Sequence, residues 1–249
     1  MNESTIIRII TSFVLLAIVA LVAMVDSALV TWTALGMVYL IAFYEACKIF
    51  GTENSMIYVL AVAIWIFAGF SQRPEYLGVV AILGIVAMMV HKKSWENRLV
   101  LPFIYPTISM LFLLALYKQF GMASLIWLVV IVALTDVGAF VIGKNFGKTP
   151  FSPSSPNKTW EGVGGGIAVA TLAGTVFGMS SVGLMVAFCV AFLTSAASVW
   201  GDLYESFLKR EAGIKDSGTI FPGHGGMLDR IDGYLFGSVI MVIILQSLI

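Results

Sequence analysis

Nine long apolar runs dominate this sequence, and they leave few folds open to it. They are Ile6–Val25, Ala28–Tyr44, Ser55–Phe70, Tyr76–Val90, Leu101–Tyr117, Met122–Ile142, Gly162–Gly178, Val182–Trp200 and Tyr234–Ile249. A helix needs about 20 mostly apolar residues to cross a bilayer. Within lipid, backbone N–H and C=O groups must bond inside their own segment, so runs of this length read as helices. The expectation is an all-α, polytopic membrane bundle of about nine transmembrane helices. The third and fourth runs are short and suit a tilted or partly re-entrant pair. The first run is too long, and lacks the small-residue cleavage site, to read as a removed signal peptide. With 59% of its residues hydrophobic and only 11% charged, the chain is not an ordinary soluble enzyme, a disordered protein or a secreted disulfide scaffold.

The placement of charge orients such a bundle. With nine spans, one side receives the N-terminus and the loops after even-numbered helices. That side carries Arg8, Lys48, Lys92, Lys93, Arg98, Lys144, Lys148, Lys158, Lys209, Arg210, Lys215 and Arg230, and the other carries only Arg73 and Lys118. The positive-inside rule puts the richer side, and the N-terminus, in the cytoplasm. Net charge is zero, 14 basic against 14 acidic residues, so the total implies no nucleic-acid partner. The two cysteines, Cys47 and Cys189, lie in apolar segments as packing thiols, and with only two histidines they make no zinc site.

Residues 1–121 read as an N-terminal group of about five spans, and residues 122–249 as a C-terminal region with two polar loops. The first loop, 143–161, holds three of the seven prolines, Pro150, Pro153 and Pro156, and cannot be a lipid-facing helix. The second, 201–233, carries ten charged residues in 33 positions. Both fall on the cytoplasmic side. No internal repeat stands out.

Asp202, Asp229 and Asp232 lie at or near membrane boundaries. Asp229 and Asp232 are spaced i, i+3, which on a helix puts both carboxylates on one face. Mg²⁺ is usually bound by one or two carboxylates together with substrate phosphates and water, so these aspartates are candidate ligands. The bland alternative is a solvated helix end with an Asp–Arg–Asp charge pattern. Lys209, Arg210 and Lys215 precede the glycine-rich stretch around His224, Gly225 and Gly226. Glycines let backbone N–H groups approach a phosphate, and lysine adds a point charge; the alternative is anchoring to anionic headgroups. In the first loop Ser155, Asn157, Lys158 and Thr159 precede a helix N-terminus, where an anion is favoured. Asp136, near the cytoplasmic end of the sixth run, is an intramembrane carboxylate and so a functional candidate. Gly143 and Gly147 enclose three residues, whereas a phosphate-binding P-loop needs four, and no strand precedes them.

The stretch from Ser206 to Asp232, with Lys209-Arg210, Lys215-Asp216, Gly218, Pro222, Gly223-His224-Gly225-Gly226 and Asp229-Arg230-Ile231-Asp232, resembles the signature of the phosphatidate cytidylyltransferases, with no mismatch over 27 positions. Ser155-Pro156-Asn157-Lys158-Thr159 and Asp136-Val137-Gly138-Ala139-Phe140 also resemble segments of that family. Gly233-Tyr234 departs from it, since a serine-type residue is expected after the last aspartate. The resemblance spans roughly residues 135–233, and the N-terminal half matches only as generic apolar helices.

What the resemblance implies is a multi-pass enzyme of the cytoplasmic (inner) membrane, commonly dimeric, that makes CDP-diacylglycerol and pyrophosphate from CTP and phosphatidate with Mg²⁺. The catalytic set is then Asp202, Asp229, Asp232, Lys209, Lys215 and Asp216, with metal on the first three and room for a second metal or a monovalent cation. Substrate contacts fall to Ser155, Asn157, Lys158, Thr159, Arg210, His224, Gly225, Gly226, Arg230 and Asp136. A CTP-dependent polyprenol kinase and an ether-lipid CTP transferase are the runner-up readings. A secondary transporter would more often show repeats. A CDP-alcohol phosphotransferase would carry an Asp-Gly-x-x-Ala-Arg run, which is absent.

Overall fold

The structure is a computed structural model that describes residues 3–52, 54–91 and 95–248, with side chains from residue 10 onward. Lys92 and Lys93, counted above on the basic side, and the side chain of Arg8 lie outside the described residues. The chain is mostly helical: α1 Glu3–Val25, α2 Ala28–Phe50, α3 Ser55–Phe70, α4 Tyr76–His91, α5 Ser109–Phe146, α6 Trp160–Val182, α7 Leu184–Glu211 and α8 Leu228–Leu248. Five helical stretches among the described residues are long and apolar enough to cross a membrane, namely Ala28–Phe50, Asn97–Phe146, Trp160–Val182, Leu184–Glu211 and Leu228–Leu248. Large apolar side chains stand exposed along the helices, Phe13 and Leu172 among them, as lipid-facing surfaces do. The protein is a multi-pass membrane protein.

Among the described residues each predicted apolar run falls largely in a helix, but several boundaries move. The runs at 101–117 and 122–142 stand as two helical segments that meet at a kink within α5, where Gly121 has a φ of 77° and a ψ of −178°. α2 runs six residues past Tyr44 and ends at Gly51, whose left-handed backbone lets its N–H reach the carbonyls of Cys47 and Lys48. α7 continues to Glu211, so the first third of the charged loop is helical; Glu205 and Lys209 form an ion pair one turn apart there. α8 starts at Leu228, six residues before the predicted start.

The all-α expectation needs one addition. The proline-rich segment folds as an antiparallel hairpin, β1 Pro150–Ser152 and β2 Ser155–Thr159, with Pro150 opposite Thr159 and Ser152 opposite Ser155. Proline cannot continue α5, and its fixed φ suits the extended edge of so short a ribbon.

The chain divides into two compact units, residues 1–122 with 212–230, and residues 123–211 with 231–249. In the first, α2 presents Tyr39, Ala42, Phe43 and Ala46 as a buried stripe. Tyr39 stacks on Trp65 at 5.1 Å, Phe43 meets Phe103 edge-on at 5.1 Å, and the Tyr39 hydroxyl bonds that of Thr107 at 3.0 Å. In the second, α6 and α7 pack together. Gly174 lies close to Ile131 and Ala191, and Trp127 donates to the Gly174 carbonyl at 2.7 Å. Val163, Val199 and Leu203 form a small core with Phe151 of the hairpin against it, which ties β1 to α6 and α7.

Candidate active site

In the first unit the glycine-rich loop is organised around two carboxylates. Glu45, on α2, is 4% exposed. It accepts the Met227 N–H at 2.9 Å, the Leu228 N–H at 2.8 Å and the Ser217 hydroxyl at 3.1 Å. Asp229, in the first turn of α8, uses its Oδ2 to accept the Gly226 N–H at 2.7 Å, the Ser217 N–H at 2.8 Å and the Ser217 hydroxyl at 2.9 Å. The start of a helix leaves backbone N–H groups without intrahelical partners, and here the chain supplies its own anions to them. Gly218 and Gly226 are required by this packing: a Cβ on either would collide with the Glu45 carboxylate.

Beside this core lies a cavity of about 550 Å³ whose walls include Lys215, Asp216, Thr219, Gly223, His224, Gly225 and Arg230. Lys215, Asp216 and Arg230 are exposed, and His224 is half-buried with its Nε2 3.2 Å from the Ser12 hydroxyl of α1. Three groups able to carry positive charge against one carboxylate suit an anionic ligand. Five predicted residues, Lys215, Asp216, His224, Gly225 and Arg230, thus line one cavity.

The second unit holds the other predicted groups. Asp202, Glu205, Ser206 and Lys209 share a face of α7, spaced by three and four residues. Asp202 is paired with Lys158 from β2 and accepts the Ser206 hydroxyl at 3.4 Å. Glu205 is fully buried and lies 2.6 Å from the Lys209 ammonium. Asp232, half-buried on α8, accepts the Gly233 N–H at 2.8 Å and lies within electrostatic reach of Asp202, Glu205 and Asp136. Four carboxylates face two lysines, so the cluster carries an excess of negative charge made of hard oxygen donors. Among the described residues no three His, Cys, Asp or Glu side chains are gathered as metal ligands. Mg²⁺ does not require that, since one or two carboxylates suffice when phosphate and water complete its shell. Asp202 and Asp232 fit that donor set.

The remaining candidates sit at the hairpin and the end of α7. Thr159 is the N-cap of α6, its hydroxyl accepting the Gly162 N–H at 3.2 Å, so the helix end expected to take an anion is closed by the chain's own oxygen. Glu161 takes the N–H groups of Lys148 and Thr149 at 3.1 and 3.2 Å and tethers the strand entry. Ser155 and Asn157 lie on β2, and Arg210 is exposed near the end of α7.

Two residues escaped the sequence reading. Glu45 lies one position past the apparent end of its apolar run, yet as a carboxylate inside a membrane-length helix it falls under the argument used for Asp136. Glu205 was one charge among ten in a segment read as loop; its i, i+4 spacing to Lys209 was the available signal.

A sequence profile described as the cytidylyltransferase family matches residues 6–248. Relatives carry the name phosphatidate cytidylyltransferase. One from Helicobacter pylori is 41% identical over 235 residues, covering 93% of this chain and 88% of its own length. Another, from Thermotoga maritima, is 36% identical over 194 residues, covering 72% of each. A third, from Bacillus subtilis, is 41% identical over 122 residues and covers 47% of this chain and 45% of its own. A match that runs almost the whole length of the chain takes in both the α2 carboxylate and the charged segments, and the chain belongs to the cytidylyltransferase family.

Proposed function

We propose that this protein transfers the cytidylyl group of CTP to phosphatidate, giving CDP-diacylglycerol and pyrophosphate. The observation that carries the reading is the cavity walled by Lys215, His224 and Arg230 on a loop whose Gly226 and Met227 N–H groups are held by the carboxylates of Asp229 and Glu45. The names of the full-length relatives support it.

The loop cations take the nucleotide phosphates, and Lys158, Lys209 and Arg210 offset charge on the lipid phosphate. The phosphatidate oxygen bonds to the α-phosphorus of CTP in line, the bond from that phosphorus to the bridging oxygen breaks, and pyrophosphate leaves. A phosphate monoester is largely ionised at neutral pH, its second pKa being about 6, so no strong protein base is needed. The barrier is repulsion between two anions, which positioned cations lower. Asp202 and Asp232 in the second unit, and Asp229 in the first, are each proposed to ligate Mg²⁺, and Asp229 also holds the loop through Oδ2. When bound, Mg²⁺ supplies charge neutralisation on the phosphates.

Nine crossings with the N-terminus inside place both charged segments on the cytoplasmic face of the inner membrane, where CTP is; the uneven spread of basic residues supports this. A homodimer is part of the same proposal. A reporter fused after the last residue is expected to read as external, and an internal signal would overturn the odd crossing number. The activity is tested with purified protein in detergent, Mg²⁺ and CTP against a panel of lipid phosphates and lipid alcohols. A CDP-lipid formed from phosphatidate alone is expected, and product from a polyprenol instead would favour the kinase reading.

A further inference from the structure

We infer that Glu45 is a positioning residue for the nucleotide loop: it occupies the N-terminus of α8 with a carboxylate of the chain's own, so that substrate phosphate is directed to Lys215, His224 and Arg230 instead. This rests on the reading that the loop binds CTP.

The start of a helix is by default an anion site, because its first N–H groups point outward and the helix dipole favours negative charge. In this protein the donors nearest that end are already engaged. Met227 and Leu228 donate to Glu45, and Gly226 and the Ser217 backbone donate to Asp229. The Ser217 hydroxyl lies between the two acids, 3.1 Å from Glu45 and 2.9 Å from Asp229, with one hydrogen to share between them. The first N–H groups of α8 are therefore taken by the chain's own carboxylates, and a triphosphate is left to the cations of the cavity. The same contacts tie the two ends of the loop, Ser217 and Gly226 to Leu228, and so limit the paths open to the stretch between them.

Glu45 can do this because α2 is rigid where it leaves the aromatic core. Ala42, one turn earlier, and Ala46 are fully buried, and Gly51 stops the helix beyond. Glu45 is not among the walls of the cavity that holds Lys215, His224 and Arg230; it lines an adjoining one with Lys48, across Gly218 and Thr219, and on this inference it acts through the loop. It lies outside residues 135–233, where the motifs were read, which explains why they did not reveal it.

The test uses full-length protein in detergent. Glu45→Gln keeps the volume but turns an amide N–H₂ toward donors, so one loop contact is lost. KM for CTP is expected to rise about tenfold, the effect of one charge-assisted hydrogen bond, while KM for phosphatidate stays within about twofold. Hydrogen exchange of the amides at 226–228, measured without substrate, is expected to quicken. Ser217→Ala, which leaves Glu45 in place, should move both readouts the same way by less. A purely structural cap would lower thermal stability with both KM values unchanged, and that result, or unaltered exchange at 226–228, would overturn the inference. Wild-type protein that does not use CTP would remove the functional reading and with it the substrate half of this one, whereas the exchange measurement would still decide whether Glu45 holds the loop.

Discussion

Glu45 and Asp229 in the first unit, and Asp202 and Glu205 in the second, are carboxylates held by different kinds of donor. The first pair accepts backbone N–H groups and a serine hydroxyl. The second pair faces the ammonium groups of Lys158 and Lys209. Backbone donors at a helix start have no other partner nearby, so a carboxylate that leaves them strands buried N–H groups at about 1–3 kcal/mol each. A lysine sits on a flexible stem and can turn to another anion such as a phosphate, at little cost for the half-exposed Lys158–Asp202 pair and at more for the buried Glu205. The comparison teaches which carboxylates are fixed scaffold and which are able to exchange partners when substrate or metal arrives.

Removing the candidate metal ligands of the second unit should have the largest effect. Asp202→Asn and Asp232→Asn keep shape and most hydrogen bonding but lose a charge. Turnover is expected to fall by about two orders of magnitude or more with the protein still monodisperse, since a few kcal/mol of metal and charge stabilisation equals about tenfold per 1.4 kcal/mol. Near-wild-type turnover in either variant would put these aspartates with the scaffold set. Asp229 sits on the dividing line. Asp229→Asn should lower both thermal stability and activity, and raising Mg²⁺ should restore part of the activity. A stable variant with an unaltered Mg²⁺ dependence would contradict its role as a ligand.

Lys158→Ala is expected to have a middling effect, raising KM for one or both substrates about tenfold without unfolding the hairpin, because its partner Asp202 stays half-exposed to other cations. Unchanged steady-state kinetics would leave it as an ion-pair partner only. The smallest effect is expected from Thr159→Ala, which removes the α6 cap. It should cost about 1 kcal/mol in stability and leave turnover near normal in an assay below the melting temperature; a large loss of turnover would return Thr159 to substrate contact.

Much of this architecture was legible before the structure. Apolar runs are long and their physical requirement is strict, so each of the nine marks a helix. The cavity cations were legible because Lys215, His224 and Arg230 lie within 16 residues of one another, and a short loop has few ways to separate them. Helix ends were less legible. Hydropathy falls at Tyr44 and at Trp200, but helix formation does not, and both helices run on through charged residues that find partners. That is why Glu45 escaped notice and why Asp202 to Arg210 fell in a segment read as loop. Glu45 illustrates the general difficulty, since its donors lie more than 170 residues away in sequence and no local pattern encodes such a contact.

The reaction itself is tested most directly by following the label from CTP. Purified protein is incubated with phosphatidate, Mg²⁺ and CTP labelled at either the α- or the γ-phosphorus, and the lipid is extracted. The account predicts that the α-label enters the lipid in step with pyrophosphate release and that the γ-label stays in the aqueous phase. Recovery of the γ-label in lipid, with CDP as the water-soluble product, would contradict it and show a kinase.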